Sequence, residues 1–184
     1  MTPCLRRALS DEELMLAVRG GDLGAFEALV QRHQHSAWQA AYRFLGDPVE
    51  AEDAVQDAFL RVFHAAARYQ PTARFRTYLY RIITRLCLDH IQKKKPVYRQ
   101  ELNHVIDQAP SAAERLSNLE CEADVRRALA NLPPKQRMAV LLRYYEGLGY
   151  AEIADALETT VKAVERLLAR ARATLENRLA HLLS

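Results

Sequence analysis

Hydrophobic residues recur every three or four positions along most of the chain, which is the period of an amphipathic α-helix. Ser10 and Glu13 form a capping-box pattern that predicts the start of a first helix. Asp22 predicts the cap of a second helix, which runs to Leu45. Gly46 follows at once and predicts its end, because glycine readily adopts the left-handed conformation that stops a helix.

The third and fourth helices are predicted on either side of a polar loop. Asp47-Pro48 places a capping residue and then a proline at the first helical position, so a third helix starts directly after the second. The loop covers residues 70–76. The fourth helix is predicted from Thr77 to about residue 94, and Pro96 ends it because a residue before proline disfavours the helical conformation.

Residues 96–122 lack a strong apolar period, and we interpret them as a linker in which Ser111–Glu114 can start one short helix. Beyond the linker the period returns in four helices, separated at Pro133-Pro134, at Gly147 and at Glu158–Thr160. No segment shows the strict alternation of a strand. The predicted fold is all-α, with two small helical domains (residues 10–95 and 123–184) joined by a flexible linker over residues 96–122.

The segment from Tyr150 to Leu175 has the spacing of a helix-turn-helix. Thr160 is predicted to cap its second helix, with Val161, Val164, Leu168, Ala171 and Leu175 on one side. Three bases lie one turn apart on the opposite side: Lys162, Arg166 and Arg170. Such bases can reach the major groove of DNA. The alternative is a generic helical hairpin with a solvated basic face.

The chain has 184 residues and a net charge of +3, which by itself argues weakly against a nucleic-acid partner. The charge is nevertheless segregated. Residues 46–57 hold five acids and no base, residues 74–99 hold eight bases and one acid, and residues 100–125 hold six acids and one base. The small total therefore results from cancelling blocks, and it does not exclude nucleic-acid binding.

The basic block also contains Phe75, Tyr78, Tyr80 and Tyr98. Bases interleaved with aromatic rings suit single-stranded nucleic acid, because cations bind phosphates while rings stack on bases. A solvated surface is the alternative for the charges, and core packing is the alternative for Phe75, Leu79 and Tyr80.

No catalytic, metal or cofactor site is predicted. The three cysteines are far apart in sequence, which indicates neither a disulfide framework nor zinc. His33 and His35 would point in opposite directions on a helix, and Cys87 is better read as a small buried apolar residue. No apolar run is long enough to cross a membrane, and the N-terminus lacks a signal peptide, so the predicted location is cytoplasmic.

At several places the chain resembles the extracytoplasmic-function (ECF) sigma factors of bacterial RNA polymerase. Residues 51–63 are similar to the polymerase-binding helix of that family, and residues 75–82 with Leu88-Asp89 are similar to its −10 recognition segment. Leu132 to Arg137, Gly147 to Ile153, and residues 161–172 are similar to its −35-binding domain. The segments occur in the family's order over roughly residues 10–180.

The resemblance implies three sets of binding residues and no enzymatic activity. The set expected to bind core polymerase is Glu52, Asp53, Gln56 and Asp57. The set expected to bind the opened −10 strand is Tyr69, Arg74, Phe75, Arg76, Tyr78, Arg81 and Arg85. The set expected to bind the −35 duplex is Thr160, Lys162, Glu165, Arg166 and Arg170.

The resemblance also implies three partners: core RNA polymerase, promoter DNA and an anti-sigma protein, with no membrane insertion of the chain itself. The sequence departs from the family pattern at some positions, where Tyr78 replaces a usual tryptophan and Glu158 a frequent glycine. The alternative function is a stand-alone helix-turn-helix transcription regulator. Such a regulator would bind duplex DNA without polymerase, and it would not need the acidic block followed by the basic aromatic block.

Overall fold

The computed structural model describes residues 8–93 and 123–180. These residues form eight α-helices and no strand, which confirms the all-α prediction. The helices are α1 (Asp11–Arg19), α2 (Leu23–Leu45), α3 (Pro48–Ala65), α4 (Phe75–Lys93), α5 (residues 123–130), α6 (Pro134–Val140), α7 (Tyr150–Ala156) and α8 (Val161–Leu179). The predicted linker and its Ser111–Glu114 capping box lie outside the described residues.

The predicted helix ends of the first region are confirmed. Ser10 and Glu13 complete the capping box of α1, with N–H to side-chain oxygen distances of 2.8 and 3.2 Å. Asp22 accepts from the third residue of α2, and Asp47 accepts from two backbone N–H groups of α3. Gly46, between these helices, has φ 81°, the left-handed conformation predicted for it.

Helix α4 begins at Phe75, two residues earlier than predicted. The backbone N–H of Phe75 donates to the carboxylate of Glu12 on α1, at 2.8 Å. A distant side chain therefore satisfies a backbone donor at the start of α4, and local sequence does not reveal such a partner.

The first region is built on α2, which packs against α1, α3 and α4. Its core is formed by fully or almost fully buried side chains from all four helices, including Leu14, Leu29, Phe44, Val62 and Ile83. Helix α3 turns its other face to solvent, and the loop over residues 70–74 with the start of α4 forms one end of the region.

The second region contains the helix-turn-helix. Helix α7 buries Ile153 and Ala154, and α8 buries Val164, Leu168 and Ala171 against α6 and α7. Thr160 caps α8 as predicted, by accepting from the N–H of Ala163 at 3.2 Å. Val161, which was predicted on the apolar side, is 42% exposed because it occupies the first turn of α8.

The two regions pack against each other. Their buried apolar residues form one continuous cluster, and α4 contacts both α6 and α7. The guanidinium of Arg137 on α6 lies over the ring of Phe44 on α2, 4.5 Å from its centroid. Arg43 on α2 lies in the same way over Tyr145, at 4.6 Å. Nothing in the local patterns of either region predicts this contact.

Candidate functional surfaces

The acidic residues of α3 lie on its outer face. Glu52, Asp53 and Gln56 are exposed, and the Gln56 amide donates to Glu52 at 3.1 Å. Asp57 is half-exposed and forms a two-pronged pair with Arg61 one turn later, at 2.9 and 3.2 Å. The structure thus places all four residues of the polymerase-binding set on one helix, with Asp57 partly neutralised.

Apolar side chains continue the same face of α3. Val49 is 66% exposed, Leu60 is 55% exposed and Phe63 is 36% exposed. With Asp53 and Gln56 they follow a spacing of three or four residues, so the five side chains form one stripe along the helix. Neither Leu60 nor Phe63 was in the set that we expected to bind polymerase. The signal for both was their spacing of three or four residues in line with Asp53 and Gln56.

The basic residues of α4, together with Arg74 just before it, separate into two groups. Arg74, Arg81 and Arg85 are exposed, and Arg85 forms a loose pair with Asp89 at 4.0 Å. Arg81 lies over the ring of Tyr78, 5.5 Å from its centroid. Arg76 instead turns toward the second region, where it contacts Glu146.

A cavity of about 280 Å³ opens between the loop and the start of α4. Its lining includes Tyr69, Gln70, Thr72, Tyr78 and Arg81. The Tyr69 ring is buried against the edge of Tyr78, 5.6 Å between centroids, and its hydroxyl has no hydrogen-bond partner within the described residues. Burial, reinforced by the negative charge of Glu12, raises the pKa of Tyr69 to about 12.

Phe75 lies in the core and not at the surface. Its side chain is fully buried, with the His33 ring 5.3 Å away and the Tyr78 ring 6.4 Å away between centroids. Of the seven residues of the −10 set, the structure brings Tyr69, Tyr78 and Arg81 to one cavity, while Arg74 and Arg85 are exposed and do not line it. Phe75 does not line the cavity, and its buried ring lies next to the Tyr78 ring.

The −35 set lies on the outer face of α8. Lys162, Glu165, Arg166 and Arg170 are all exposed, on the side opposite the buried Val164. Within the described parts of the chain, Glu165 forms no ion pair. The turn before α8 contains Glu158 at φ 49°, a left-handed conformation that glycine adopts more readily than other residues.

No group of three or more histidine, cysteine or acidic side chains in residues 8–93 and 123–180 could hold a metal ion. His33 pairs with Asp11 at 2.7 Å, and His90 approaches Glu50 at 3.0 Å, so both have structural partners. Burial raises the pKa of the Cys87 thiol to about 12, consistent with a buried, unreactive side chain. No described helix is long and apolar enough to span a membrane.

Two family models match the two described regions. The model described as Sigma-70 region 2 matches residues 29–97, and the model described as Sigma-70, region 4 matches residues 122–175. The RNA polymerase sigma-H factor of Pseudomonas aeruginosa is 30% identical, covering 94% of this chain and 95% of its own. The ECF RNA polymerase sigma factor SigW of Bacillus subtilis is 30% identical, covering 88% and 92% respectively.

The chain belongs to the ECF sigma factors. An ECF sigma factor binds core RNA polymerase, recognises the −10 and −35 promoter elements and promotes DNA melting at the start of transcription, and this is what the chain does. It is a transcription initiation factor and not an enzyme. The match to region 2 as well as region 4 excludes the alternative of a stand-alone regulator, which would lack a polymerase-binding region.

A solved structure has the same fold as this ECF sigma factor. CnrH, in a structure described as a complex with the cytosolic domain of CnrY, is 30% identical with a TM-score of 0.72. The similarity covers 93% of this chain and 97% of CnrH, so it extends across both regions.

In this sigma factor a buried carboxylate joins region 2 to region 4. Glu146 lies just after the π-helical turn at Leu141–Tyr145 and is 7% exposed. It accepts a hydrogen bond from the Tyr80 hydroxyl and lies 3.4 Å from a guanidinium nitrogen of Arg76. Burial, followed by the hydrogen bond to Glu146, raises the pKa of Tyr80 to about 12. Sequence reasoning missed Glu146, because its partners are 66 and 70 positions away.

Proposed function

We propose that this sigma factor divides its three tasks among three separate surfaces. The outer face of α3 docks on core polymerase, the cavity beside α4 receives the opened −10 strand, and the outer face of α8 reads the −35 duplex. The functional domains are residues 10–95 and 123–184, with residues 96–122 as the tether between them. Because it acts on the bacterial transcription machinery, the protein works in the cytoplasm.

The observation that carries this proposal is the cavity of about 280 Å³ beside the exposed arginines of α4. This volume is slightly below the roughly 300–1,000 Å³ of small-molecule sites, so we expect the cavity to take one base and not several. Flipping a base out of a duplex costs a few kcal/mol, and stacking on an aromatic ring returns about 1–3 kcal/mol. We therefore expect the cavity to hold one flipped base, with phosphates bound by Arg81 and Arg85. A single captured base suits a short −10 element.

Permanganate footprinting during run-off transcription with core polymerase tests the −10 assignment. The variant carrying Arg81→Ala and Arg85→Ala should leave the −10 thymines closed, because phosphate contacts to the opened strand are lost. Arg61→Ala, an exposed arginine on the α3 face, is the matched control for −10 opening once core binding is saturated. Open −10 thymines with the double variant would remove these arginines from the proposal.

Docking on polymerase is assigned to the stripe of α3. Acidic groups with exposed Leu60 and Phe63 beside them combine charge complementarity to a basic partner with apolar contact area, as protein interfaces do. A substitution at Asp53 gives the clearest test of this assignment. It is exposed and forms no ion pair within the described residues, whereas Asp57 is engaged by Arg61.

Asp53→Lys should weaken binding to core polymerase in a pull-down and leave the helical circular dichroism unchanged. Glu176→Lys makes the same charge change on exposed α8 and should bind core normally. Leu60→Ala separates the two contributions, since it removes apolar area without altering charge. Normal core binding by both Asp53→Lys and Leu60→Ala would place the docking site elsewhere.

We also infer that an anti-sigma protein regulates this chain. The inference is supported by the similarity to CnrH, which is described as bound to the cytosolic domain of CnrY, and by family membership. A candidate anti-sigma protein should form a stable complex with the free chain and reduce its binding to core polymerase in the same pull-down. A complex that leaves core binding unchanged would contradict the inference.

A further inference from the structure

The loop over residues 70–74 forms one wall of the cavity beside α4. All five of its side chains are exposed, and Gln70, Thr72 and Ala73 line the cavity. Inside the loop, the N–H of Thr72 donates to the carbonyl of Gln70, at 2.8 Å. Because none of the five side chains packs in the core, the shape of this wall depends on how the two ends of the loop are held.

Both ends of the loop are bonded to α1. Before the loop, the guanidinium of Arg19 donates to the carbonyl of Tyr69, at 3.5 Å. After the loop, the carboxylate of Glu12 accepts from the backbone N–H of Phe75, at 2.8 Å. Glu12 and Arg19 are about two helical turns apart, so they lie on the same side of α1. One helix therefore bonds to the residue on each side of the loop.

Helix α1 is itself fixed to α2. Asp11 contacts both Arg32 and His33 of α2, at 2.7 Å in each case, and Leu14 is fully buried in the core. The His33 ring lies 5.3 Å from the ring of Phe75 between centroids. The carboxylate next to Asp11 in the chain, that of Glu12, thus projects from a helix whose own position is set.

The bond to Glu12 also decides where α4 begins. The first N–H groups of a helix have no partner within it and carry partial positive charge, so a carboxylate that accepts from one of them stabilises the helix end. Phe75 is the first residue of α4, and Tyr78 and Arg81 line the cavity one and two turns later. Glu12 therefore sets the position of the α4 wall of the cavity relative to the loop wall.

A cavity that is already in its binding shape captures a base more tightly. Ordering a loop costs conformational entropy in every residue, and the apparent affinity falls in proportion to the fraction of molecules that have the competent shape. In this cavity the gain depends on the captured base. The phosphate contacts that we assigned to Arg81 and Arg85 lie on α4 beyond its first turn and do not use the loop.

We propose that Glu12 and Arg19 are positioning residues for base capture. They hold the loop and the start of α4 in the shape that receives the flipped −10 base. They act through the backbone of Phe75 and Tyr69, and neither contacts the base itself. This inference rests on the proposed function, because it takes the α4 cavity as the site of the captured base.

The test uses holoenzyme assembled from core polymerase and the full-length chain. Fork-junction DNA is made from a promoter that the holoenzyme opens in run-off transcription, and each −10 base of its single strand is replaced in turn by an abasic site. One abasic position should weaken wild-type binding, because the captured base is missing. Glu12→Ala should bind the intact DNA about tenfold more weakly, as expected if about a tenth of the molecules keep the competent shape. It should bind that abasic DNA as well as wild type does, whereas a general loss of folded protein would weaken binding to both.

Two related substitutions separate positioning from a merely structural effect. Glu12→Gln keeps a side-chain oxygen that can accept from the N–H of Phe75, so it should restore most of the affinity for intact DNA. Glu13→Ala removes the adjacent carboxylate, whose bond to the N–H of Ser10 lies within the first turn of α1, and it should bind both DNAs as wild type does. Equal losses in Glu12→Ala and Glu13→Ala would overturn the proposal.

Arg19→Ala tests the other end of the loop. Arg19 is exposed, so the substitution is expected to preserve the fold. Its bond to the Tyr69 carbonyl is the longer of the two, so the loss on intact DNA should be smaller than that of Glu12→Ala. Hydrogen–deuterium exchange of the full-length chain gives a readout without DNA. Peptides over residues 69–78 should exchange faster in Glu12→Ala than in wild type or Glu13→Ala.

The two proposals fail in different ways. If an abasic site weakens wild-type binding but Glu12→Ala and Arg19→Ala bind intact DNA as wild type does, the positioning role is wrong and base capture stands. If no abasic position weakens wild-type binding, base capture in the cavity is wrong, and so is the positioning role.

Discussion

Tyr80 donates a hydrogen bond to the carboxylate of Glu146, although 66 positions separate the two residues. Both side chains are almost completely buried, and they belong to different parts of the sigma factor, region 2 and region 4. Their hydrogen bond can therefore form only when the two regions are packed together. Because burial and this hydrogen bond raise the pKa of the Tyr80 phenol to about 12, the pair also gives the packed state a measurable dependence on pH.

Tyr80→Phe should destabilise the protein at pH 7. It leaves the buried Glu146 with one hydrogen bond fewer, a loss of about 1–3 kcal/mol for a buried polar group. The free energy of unfolding from urea denaturation, followed by helical circular dichroism, measures the change. A variant as stable as wild type at neutral pH would show that the hydroxyl contributes nothing to the packed state.

The stability difference between wild type and Tyr80→Phe should shrink at alkaline pH. The Tyr80 pKa is raised to about 12 in the folded protein, mainly by burial, and an unperturbed phenol titrates near 10. The folded state therefore keeps the proton longer, and wild type loses up to about 2–3 kcal/mol as pH rises through this window. Phenylalanine cannot titrate, so its curve should fall less steeply. Parallel curves from pH 9 to pH 12 would contradict this assignment.

Tyr69→Phe should have the opposite sign to Tyr80→Phe at pH 7. The Tyr69 hydroxyl is buried and has no hydrogen-bond partner among the described residues, so removing it relieves an unpaired polar group. We expect a gain on the order of 1 kcal/mol in the same urea experiment. A loss of stability would mean that an ordered water or another group satisfies the hydroxyl in solution.

Glu158→Gly should stabilise the helix-turn-helix. Glu158 is exposed and adopts φ 49°. This conformation costs an L-residue about 1 kcal/mol and costs glycine nothing. Part of the gain is lost because glycine increases the conformational entropy of the unfolded chain. The expected net effect is roughly 0.5 kcal/mol, or a rise of one or two degrees in Tm. The neighbouring Thr159→Gly is the control, and it should lower Tm because it adds entropy without relieving strain. A drop of equal size in both variants would exclude strain at Glu158.

Arg166→Ala should reduce discrimination between a matched and a mutated −35 site if Arg166 contacts a base edge. Such a contact is worth about 1–3 kcal/mol of discrimination, whereas a phosphate contact weakens binding to all sequences alike. Binding curves on both duplexes at two salt concentrations separate the two cases. Arg178→Ala, in the last turn of the same helix, is the control. Equal weakening on both duplexes would assign Arg166 to phosphate.

Local sequence patterns predicted most of the helices, because capping and helix termination depend on residues within one or two turns. Ser10, Asp22, Asp47 and Thr160 all cap the helices expected of them, and Gly46 adopts the expected left-handed conformation. The predicted start of α4 was wrong because a distant group intervenes. Helix α4 begins at Phe75 because Glu12 of α1 accepts its N–H.

The same difference between local and distant contacts decided which candidate sites could be predicted from sequence. Charge segregation and helical spacing were enough to assign the acidic face of α3 and the basic face of α8, because an exposed helix face depends only on the position of residues around one axis. The cavity beside α4 combines a turn, a loop and a helix, so its lining could not be read from spacing. Phe75 and Arg81 belong to the same basic aromatic block, yet one is fully buried and the other exposed.

The sequence alone determined that this protein is all-helical, that it separates acidic and basic surfaces, and that it resembles ECF sigma factors, since each of these properties depends on residues close together in the chain. Only the tertiary structure decided how regions 2 and 4 meet. The contact of Glu146 with Tyr80 and Arg76 joins groups 66 and 70 positions apart, and these distant partners offset the cost of burying the carboxylate, which no local pattern encodes.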